Sequence, residues 1–543
     1  MQHIDIIKNR YVKMGFIQYD RSQSNFLGYS VDDFAKADHK SHFVVDIVSR
    51  LNLKELYSSY SPQGGDSYAP NMMLALWFYA YSNGITSTRE LEDRCKFDTR
   101  YMYISCNLQP DHTTLSRFRK SNLEIISKYF EQILLIALDE GLSDFRHITI
   151  DGTKIRSKSS GRHTYKEDQL NKKIEAIRKD IRYYMQRCDF VEQGASDTVD
   201  LETLRAEKKR LEDLEQHLIK QKELLQKRKE NLKAEHREKH SINIMEPDAR
   251  LMPKTTGTAY NPQVGVDVST HLIVSNKVTT KPNDQGQFIP VQEDVEKNIG
   301  KDPQRSYTAD AGYHNTSDLE KLEKNNVDAV IADPNKKNRS TKKRVTSSEK
   351  ILNENRKVER NDFVFHNQEN YYECPAGDKL VAVKNKGKKI LYRASQCREC
   401  ALLGLCVPSG KKLKQIHRSK KEFIAENMAR KLETKEAKDR LKERAGSVEP
   451  VFGNLKQNLG FRRFSVSGLS DVQGEFNLMC IGHNLNVLFK MLQQRRFTAS
   501  AYAAKTRLYQ YITLSKNILS FYYYIFLVRY LNYQKNRAFL PIY

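Results

Sequence analysis

Three carboxylates stand where the chain could present them to a metal ion. Asp151 closes the alternating run FRHITIDGTKI (145–155), with Gly152 directly behind it. Asp310 closes the short apolar run in SYTADAGYHN (306–315), with Ala311 and Gly312 behind it. Glu449 lies in RAGSVEPVFGNLK (444–456), and Lys456 follows seven residues on, about two helical turns and so on roughly the same face. Pro450 suits the first turn of a helix. That places Glu449 near a helix start, where the positive end of the dipole keeps a carboxylate ionised.

The chemistry such a set could perform is phosphoryl transfer on DNA. Two divalent ions there serve the attacking and leaving oxygens. Mg²⁺ takes carboxylate oxygens and keeps several waters, so carboxylates converging from strand ends and a nearby helix meet the need. A small residue behind each aspartate would let a nucleic-acid backbone approach. Asp248, Asp267, Asp284 and Asp333 are rival carboxylates. Asp267 falls inside a strand pattern. Asp333 ends one and competes most directly with Asp310.

A second set is made of sulfur. Cys374, Cys397, Cys400 and Cys406 read C-x22-C-x2-C-x5-C. The first residues lack the apolar core of a signal peptide, and the eleven-residue apolar run at 518–528 is short for a membrane span. The protein is therefore expected to be cytoplasmic, with its cysteines reduced or metal-bound. Four thiolates would suit one tetrahedral Zn²⁺. Cys95, Cys106, Cys188 and Cys480 lie in helical patterns and read as packing or surface thiols.

The elements that must position these groups are legible as patterns. The chain has 543 residues, of which 39% are hydrophobic, enough for the cores of two to four domains. Its 91 basic and 67 acidic residues give a net charge of +24, an excess that points to a polyanion such as nucleic acid. Residues 1–140 read as a helical DNA-binding domain. Pro70 opens one of its helices and Gly84 closes it, and Asp111 caps a long amphipathic one. Arg117, Arg119 and Lys120 crowd the first turns of that last helix, where cations oppose the dipole; phosphate contact would explain them.

Residues 141–163 carry the first core strand. Over 164–240, Leu204, Leu211, Leu218, Leu225 and Leu232 recur every seven residues after Leu170, Ile174, Ile177 and Ile181. The pattern predicts an antiparallel coiled-coil hairpin. Strands resume over 241–333, with a helix at 316–325 between two of them, the signature of a mixed α/β sheet. Residues 334–415 hold a basic loop, NKKNRSTKKRV (335–345), and the cysteine-rich insertion. Helices return over 416–495, and 496–543 is a basic, aromatic-rich tail.

DGTKI, YTADAGYHN and VEPVFGNLK, in this order, resemble the DDE transposases of bacterial insertion sequences. HTTLSRFR and MEPDARLMPK, followed by YNPQVGVDVSTHLIVSNKVTTKPND, resemble the same family, and the resemblance spans roughly 40–495. It implies an α/β fold with an RNase H-like mixed sheet. That core would follow an all-α N-terminal domain and carry the coiled-coil insertion and a small zinc-ribbon-like one. It implies that Asp151, Asp310 and Glu449 hold two Mg²⁺ (or Mn²⁺) ions per site, and that Lys456 and Arg444 contact DNA, alongside Arg117 and Arg119. The family often has a Tyr and an Arg before the Glu in a fixed pattern; here the residue four before Glu449 is Ala445, with Arg444 one further back. Tyr313 and His314 would position DNA or serve the fold. The partners implied are transposon ends and target DNA, with a homodimer in the DNA complex. A metal-dependent nuclease without strand transfer and a non-catalytic DNA-binding regulator are the alternatives.

Overall fold

A computed structural model describes residues 15–514 apart from 22–29, 37, 61–65, 195, 231–236, 238–239, 254, 335–347, 367–368, 387–388 and 409. The basic loop at 335–345, Leu232, the 518–528 run and the end of the tail lie outside the described residues. Met1–Asn484 forms one compact unit and Leu485–Tyr543 a second.

The first unit opens with helices, principally α1 (Lys40–Arg50), α2 (Pro70–Ser82), α3 (Thr88–Phe97), α4 (Thr99–Ser105) and α5 (His112–Asp139). Pro70 occupies the first turn of α2, and Gly84 takes the positive φ of +77° that ends it. Asp111 caps α5, accepting from the Thr113 and Thr114 amides at 2.8 and 2.9 Å. Twelve of the thirteen α2 residues are buried, so α2 is the central rod of this bundle rather than an amphipathic surface helix.

The larger sheet is built from β1 (His147–Gly152), β2 (Ile155–Arg156), β5 (Arg250–Leu251), β6 (Thr258–Asp267), β7 (Ile273–Thr279), β8 (Ser306–Ala309) and β9 (Asp328–Ile331). β6 is its spine, with all ten residues buried. β7 and β1 flank β6 in antiparallel, and β8 and β9 continue beyond β1 in parallel. Helix α8 (Phe288–Ile299) packs on β6 and β7, while α9 (Thr316–Lys324) leads from β8 toward β9.

Two insertions leave this sheet. A ribbon of β3 (Thr164–Tyr165) and β4 (Ile242–Asn243) clasps the base of an antiparallel helical pair, α6 (Glu167–Glu192) and α7 (Leu201–Glu230). Leu170, Ile174 and Ile177 pack there against Leu211, Leu218 and Leu225, on the spacing that the sequence announces. The other insertion is larger in structure than its sequence suggests. Strands β10 (Val364–His366), β11 (Tyr371–Glu373), β12 (Lys379–Lys386), β13 (Lys389–Ala394) and β14 (Gln415–Ser419) form a five-stranded antiparallel sheet. Its core includes Phe363, Tyr372, Leu380, Tyr392 and Ile416.

The chain returns through α10 (Lys420–Lys431) and α11 (Lys435–Gly453) to α12 (Leu469–Leu514). Asp328 at the start of β9 holds the first two, bonding Lys431 at 2.6 Å and Arg440 at 2.7 Å. Residues 469–484 of α12 lie along the open edge of β7. Asn484 accepts from the Ile273 amide at 2.9 Å and donates to its carbonyl at 2.8 Å. Gln473 does the same for the Val278 amide and the Asn276 carbonyl, both at 2.7 Å. Two carboxamides thus satisfy an edge that would otherwise offer unpaired backbone groups.

The opposite side of the same helix meets the N-terminal bundle. Glu475, fully buried, accepts from the Tyr81 hydroxyl at 3.0 Å and from the Ser465 amide at 2.8 Å. Arg119 lies 3.9 Å from it. The backbones come close at glycines: a Cβ on Gly482 would stand 2.6 Å from the Tyr81 carbonyl carbon and 2.7 Å from its oxygen. Helix propensity alone favours Ala over Gly by about 1 kcal/mol. The contact reverses that sign, and we expect Gly482→Ala to lower stability by about 1–3 kcal/mol in chemical denaturation. A gain in stability would contradict this packing.

Candidate active site

The sheet places the first two carboxylates side by side. In the parallel β1–β8 ladder, Ile150 faces Ala309, so Asp151 and Asp310 occupy the next step of neighbouring strands. Asp333 follows β9, one strand further from β1, and Asp267 is the buried last residue of β6, opposite Ile148, where it accepts from Ser143, Ser269 and Thr270. Register therefore sets Asp310, rather than Asp267 or Asp333, beside Asp151. Asp310 accepts from the Gly312 amide at 2.8 Å, which fixes its carboxylate over a short 3₁₀ turn, Ala311–Tyr313.

Asp151 is mostly buried, with its side chain 20% exposed. Burial pushes its carboxyl up to about 6, and the neighbouring Asp310 charge adds to this. Arg444, reaching from α11, opposes the shift by donating to Asp151 Oδ2 at 2.9 Å. The sequence reading gave Arg444 a phosphate contact; the structure instead engages it as the counter-ion of Asp151.

A further carboxylate completes the surroundings. Asp284, treated in the sequence only as a rival, accepts from Asn261 and Gln263 on β6, each at 2.8 Å. Lys154 lies 3.6 Å from it, and the fields of Asp151 and Asp310 also reach Lys154. A Cβ on Gly152 would collide with the Gln263 side chain and stand 2.7 Å from Asp284 Oδ1. The glycine behind Asp151 therefore makes room for protein, not for the DNA backbone that the sequence reading assigned to it. Tyr313 is fully buried, donates to Gln263 and packs edge-on against Phe288. Its role is structural.

Glu449 requires a correction. α11 begins at Lys435, so Glu449 and Pro450 lie near its C-terminal end and not in a first turn. Glu449 therefore does not sit at the positive end of the helix dipole. α11 lies across β1 and β8, with Ser447, Val448 and Val451 buried and Ser447 Oγ 3.2 Å from Thr149 Oγ1. Glu449 projects beside that face and is exposed. Lys456 follows in a π-helical turn, Asn454–Asn458, and is half-buried.

Arg117 is exposed. Arg119 is not available to DNA: it is buried, donates to the Tyr81 hydroxyl at 3.0 Å and the Thr86 carbonyl at 2.9 Å, and lies over Trp77. A cation in the first turns of α5 thus serves tertiary packing.

Among the described residues, no group of three or more His, Cys, Asp or Glu side chains could hold a metal ion. The pair Asp151 and Asp310 offers hard oxygen donors on adjacent strand ends, but Glu449 is not gathered to it. The four cysteines line one pocket with Phe363, Leu402 and Val407. Burial raises the Cys374 thiol and pushes Cys406 up to about 11, and backbone amides donate to Cys374 and Cys397. This arrangement gives no support to the expected zinc; the thiols pack as part of the core of the five-stranded sheet.

Two family models match the chain. Residues 373–489 match a Transposase DDE domain, and residues 30–121 match a Transposase domain (DUF772). Together they support an insertion-sequence DDE transposase, a family that implies an RNase H-like core, a nuclease or transferase activity and binding of transposon DNA. Such enzymes generally use Mg²⁺ or Mn²⁺. Asp151 and Asp310 lie outside both matched stretches, whereas Arg444, Glu449 and Lys456 lie within the first. No curated protein matches the chain. No described helix is long and apolar enough to cross a membrane.

The burial of Asp151 has a measurable consequence. Its folded value of about 6 exceeds the ordinary 3.8, so between these limits the folded chain binds more protons than the unfolded one. Its contribution to stability is greatest below the ordinary value and is lost as pH rises through about 6, at most about 3 kcal/mol in all. Urea unfolding without divalent ions should show wild type losing stability relative to Asp151→Asn over that window. A difference that stays flat with pH would refute the assignment.

Proposed function

We propose that the chain cuts the ends of an insertion sequence and joins the freed 3′-hydroxyls to target DNA. The observation that carries this reading is the adjacency of Asp151 and Asp310 on parallel strands beneath α11, the helix that bears Glu449. Mg²⁺ commonly binds through one or two carboxylates together with substrate phosphates, and the aspartate pair suits that mode. A metal pair held there would supply charge neutralisation at the attacking and leaving oxygens.

The remaining work falls to the chain itself. Asp151 and Asp310 are held by their own strand-end amides. Arg444 balances Asp151 before any substrate arrives. Glu449, exposed on α11 and apart from the pair, joins it only once DNA and metal are bound, and Lys456, in the π-helical turn after α11, contacts a DNA phosphate. Arg117 serves the binding of transposon ends by the N-terminal helices. Two copies act together in the DNA complex, one for each end. Zinc is not part of this reading.

The test uses purified protein, labelled duplex carrying the terminal repeats from the DNA flanking the gene, and Mg²⁺. Joined products support the transposase. Cut products alone indicate a nuclease, and a mobility shift without cutting indicates a regulator. Asp151→Ala, Asp310→Ala and Glu449→Ala should each lower the cleavage rate by at least about 100-fold, a loss of about 3 kcal/mol in barrier lowering, while the fold persists. Normal cutting by Asp310→Ala would remove the aspartate pair from the mechanism.

A further inference from the structure

Beside the aspartate pair, two separate chain segments run together and both are basic. β2 pairs with β6 on one side. On its other side the Arg156 amide donates to the Arg462 carbonyl at 3.2 Å, and the Phe464 amide donates to the Arg156 carbonyl at 2.9 Å. The Arg463 side chain fastens the same join by donating to the Ser157 carbonyl at 3.0 Å. Arg462 donates to the Lys456 carbonyl at 3.0 Å, which ties the π-helical turn to the group.

The segment after Lys456 is anchored by its aromatics. Phe461 and Phe464 are buried, against Tyr81 and Tyr260 respectively. Arg462 and Arg463, between them, are exposed, as is Arg156 on the neighbouring strand. Lys154, two residues before Arg156, lies 3.6 Å from Asp284, whose carboxylate in turn stands beside Gly152 and Gly312, the glycines that follow the aspartates. Burial lowers the Lys456 ammonium, and the Lys154 charge lowers it further, so these two cations lie within each other's field.

Ion pairs are common elsewhere in this protein. Yet among the described residues no carboxylate lies within ion-pair distance of Arg156, Lys456, Arg462 or Arg463, and Asp284 is the partner of Lys154. Like charges gathered on rigid elements without counter-ions repel one another, and a polyanion laid across them removes that repulsion.

We propose that Lys154, Arg156, Lys456, Arg462 and Arg463 form a track for the sugar-phosphate backbone of one DNA strand, leading from the aspartate pair along β2. The proposal rests on the transposase reading and deepens it by adding four contacts to Lys456. Asp284 is a positioning residue, turning Lys154 toward the start of the track. Contacts of this kind fix the register of the strand without reading its sequence.

The test is fluorescence anisotropy with a short labelled duplex of unrelated sequence, in EDTA, over a series of salt concentrations. Arg156→Gln and Arg462→Gln should each weaken binding several-fold and reduce the slope of log affinity against log salt by about one. Lys301→Gln, at an exposed position outside the track, should change neither. Thermal melts confirm folding, and because both arginines are exposed, two independent variants report on the track. Wild-type affinity and slope in both would overturn it, whether or not the protein cuts DNA. If the variants lose slope while wild type fails to cut or join, the track stands and the strand-transfer reading falls.

Discussion

A twelve-residue stretch of one helix, residues 473–484, holds the first unit together by doing two incompatible-looking jobs. One face supplies amides to the naked edge of β7. The other receives the N-terminal bundle through a fully buried carboxylate. A sheet edge left open would carry unsatisfied donors and acceptors, each costing about 1–3 kcal/mol when buried. Covering it with Gln473 and Asn484 satisfies the edge and fixes the helix lengthwise, because each carboxamide must meet a particular peptide. Once that register is set, Gly474 and Gly482 let the bundle approach to backbone distance. The bundle is therefore built directly onto the seven-stranded sheet.

The same logic of fixed register governs the aspartates. Neither is located by a loop. Each is the first residue past a paired step of the β1–β8 ladder, so their separation follows from strand spacing. Their electrostatics differ because their surroundings do. Asp151 is buried beneath α11 and needs Arg444 to offset the cost, while Asp310 stands at the rim with Gly312 as its donor. Burial that makes one carboxylate reluctant to ionise creates a demand for positive charge at that point, which Arg444 meets here.

Much of this was legible from sequence, for identifiable reasons. Alternation in FRHITID and the strand-helix-strand pattern ending at Asp333 report burial on a sheet, and Pro70, Gly84 and Asp111 mark helix ends through backbone chemistry that is purely local. The misreadings share a cause, which is that the deciding partner lies far along the chain. Arg119 looked like a phosphate ligand because Tyr81 and Glu475 are distant in sequence. Pro450 looked like a helix start because an interior proline normally clashes with the carbonyl four residues back. Here that residue is Gly446, exposed to solvent, where the carbonyl can tilt outward and α11 continues. The strands β12 and β13 escaped notice because Lys379, Lys384, Lys389 and Arg393 give them the composition of a solvated loop.

Gly152 carries an implication for how this site can change. Its missing side chain is the space through which Gln263 reaches Asp284, and Asp284 in turn holds Lys154. Any larger residue at 152 would meet that carboxamide and the Asp284 carboxylate. Positions 152, 263 and 284 therefore share one small volume, although they belong to three different parts of the chain.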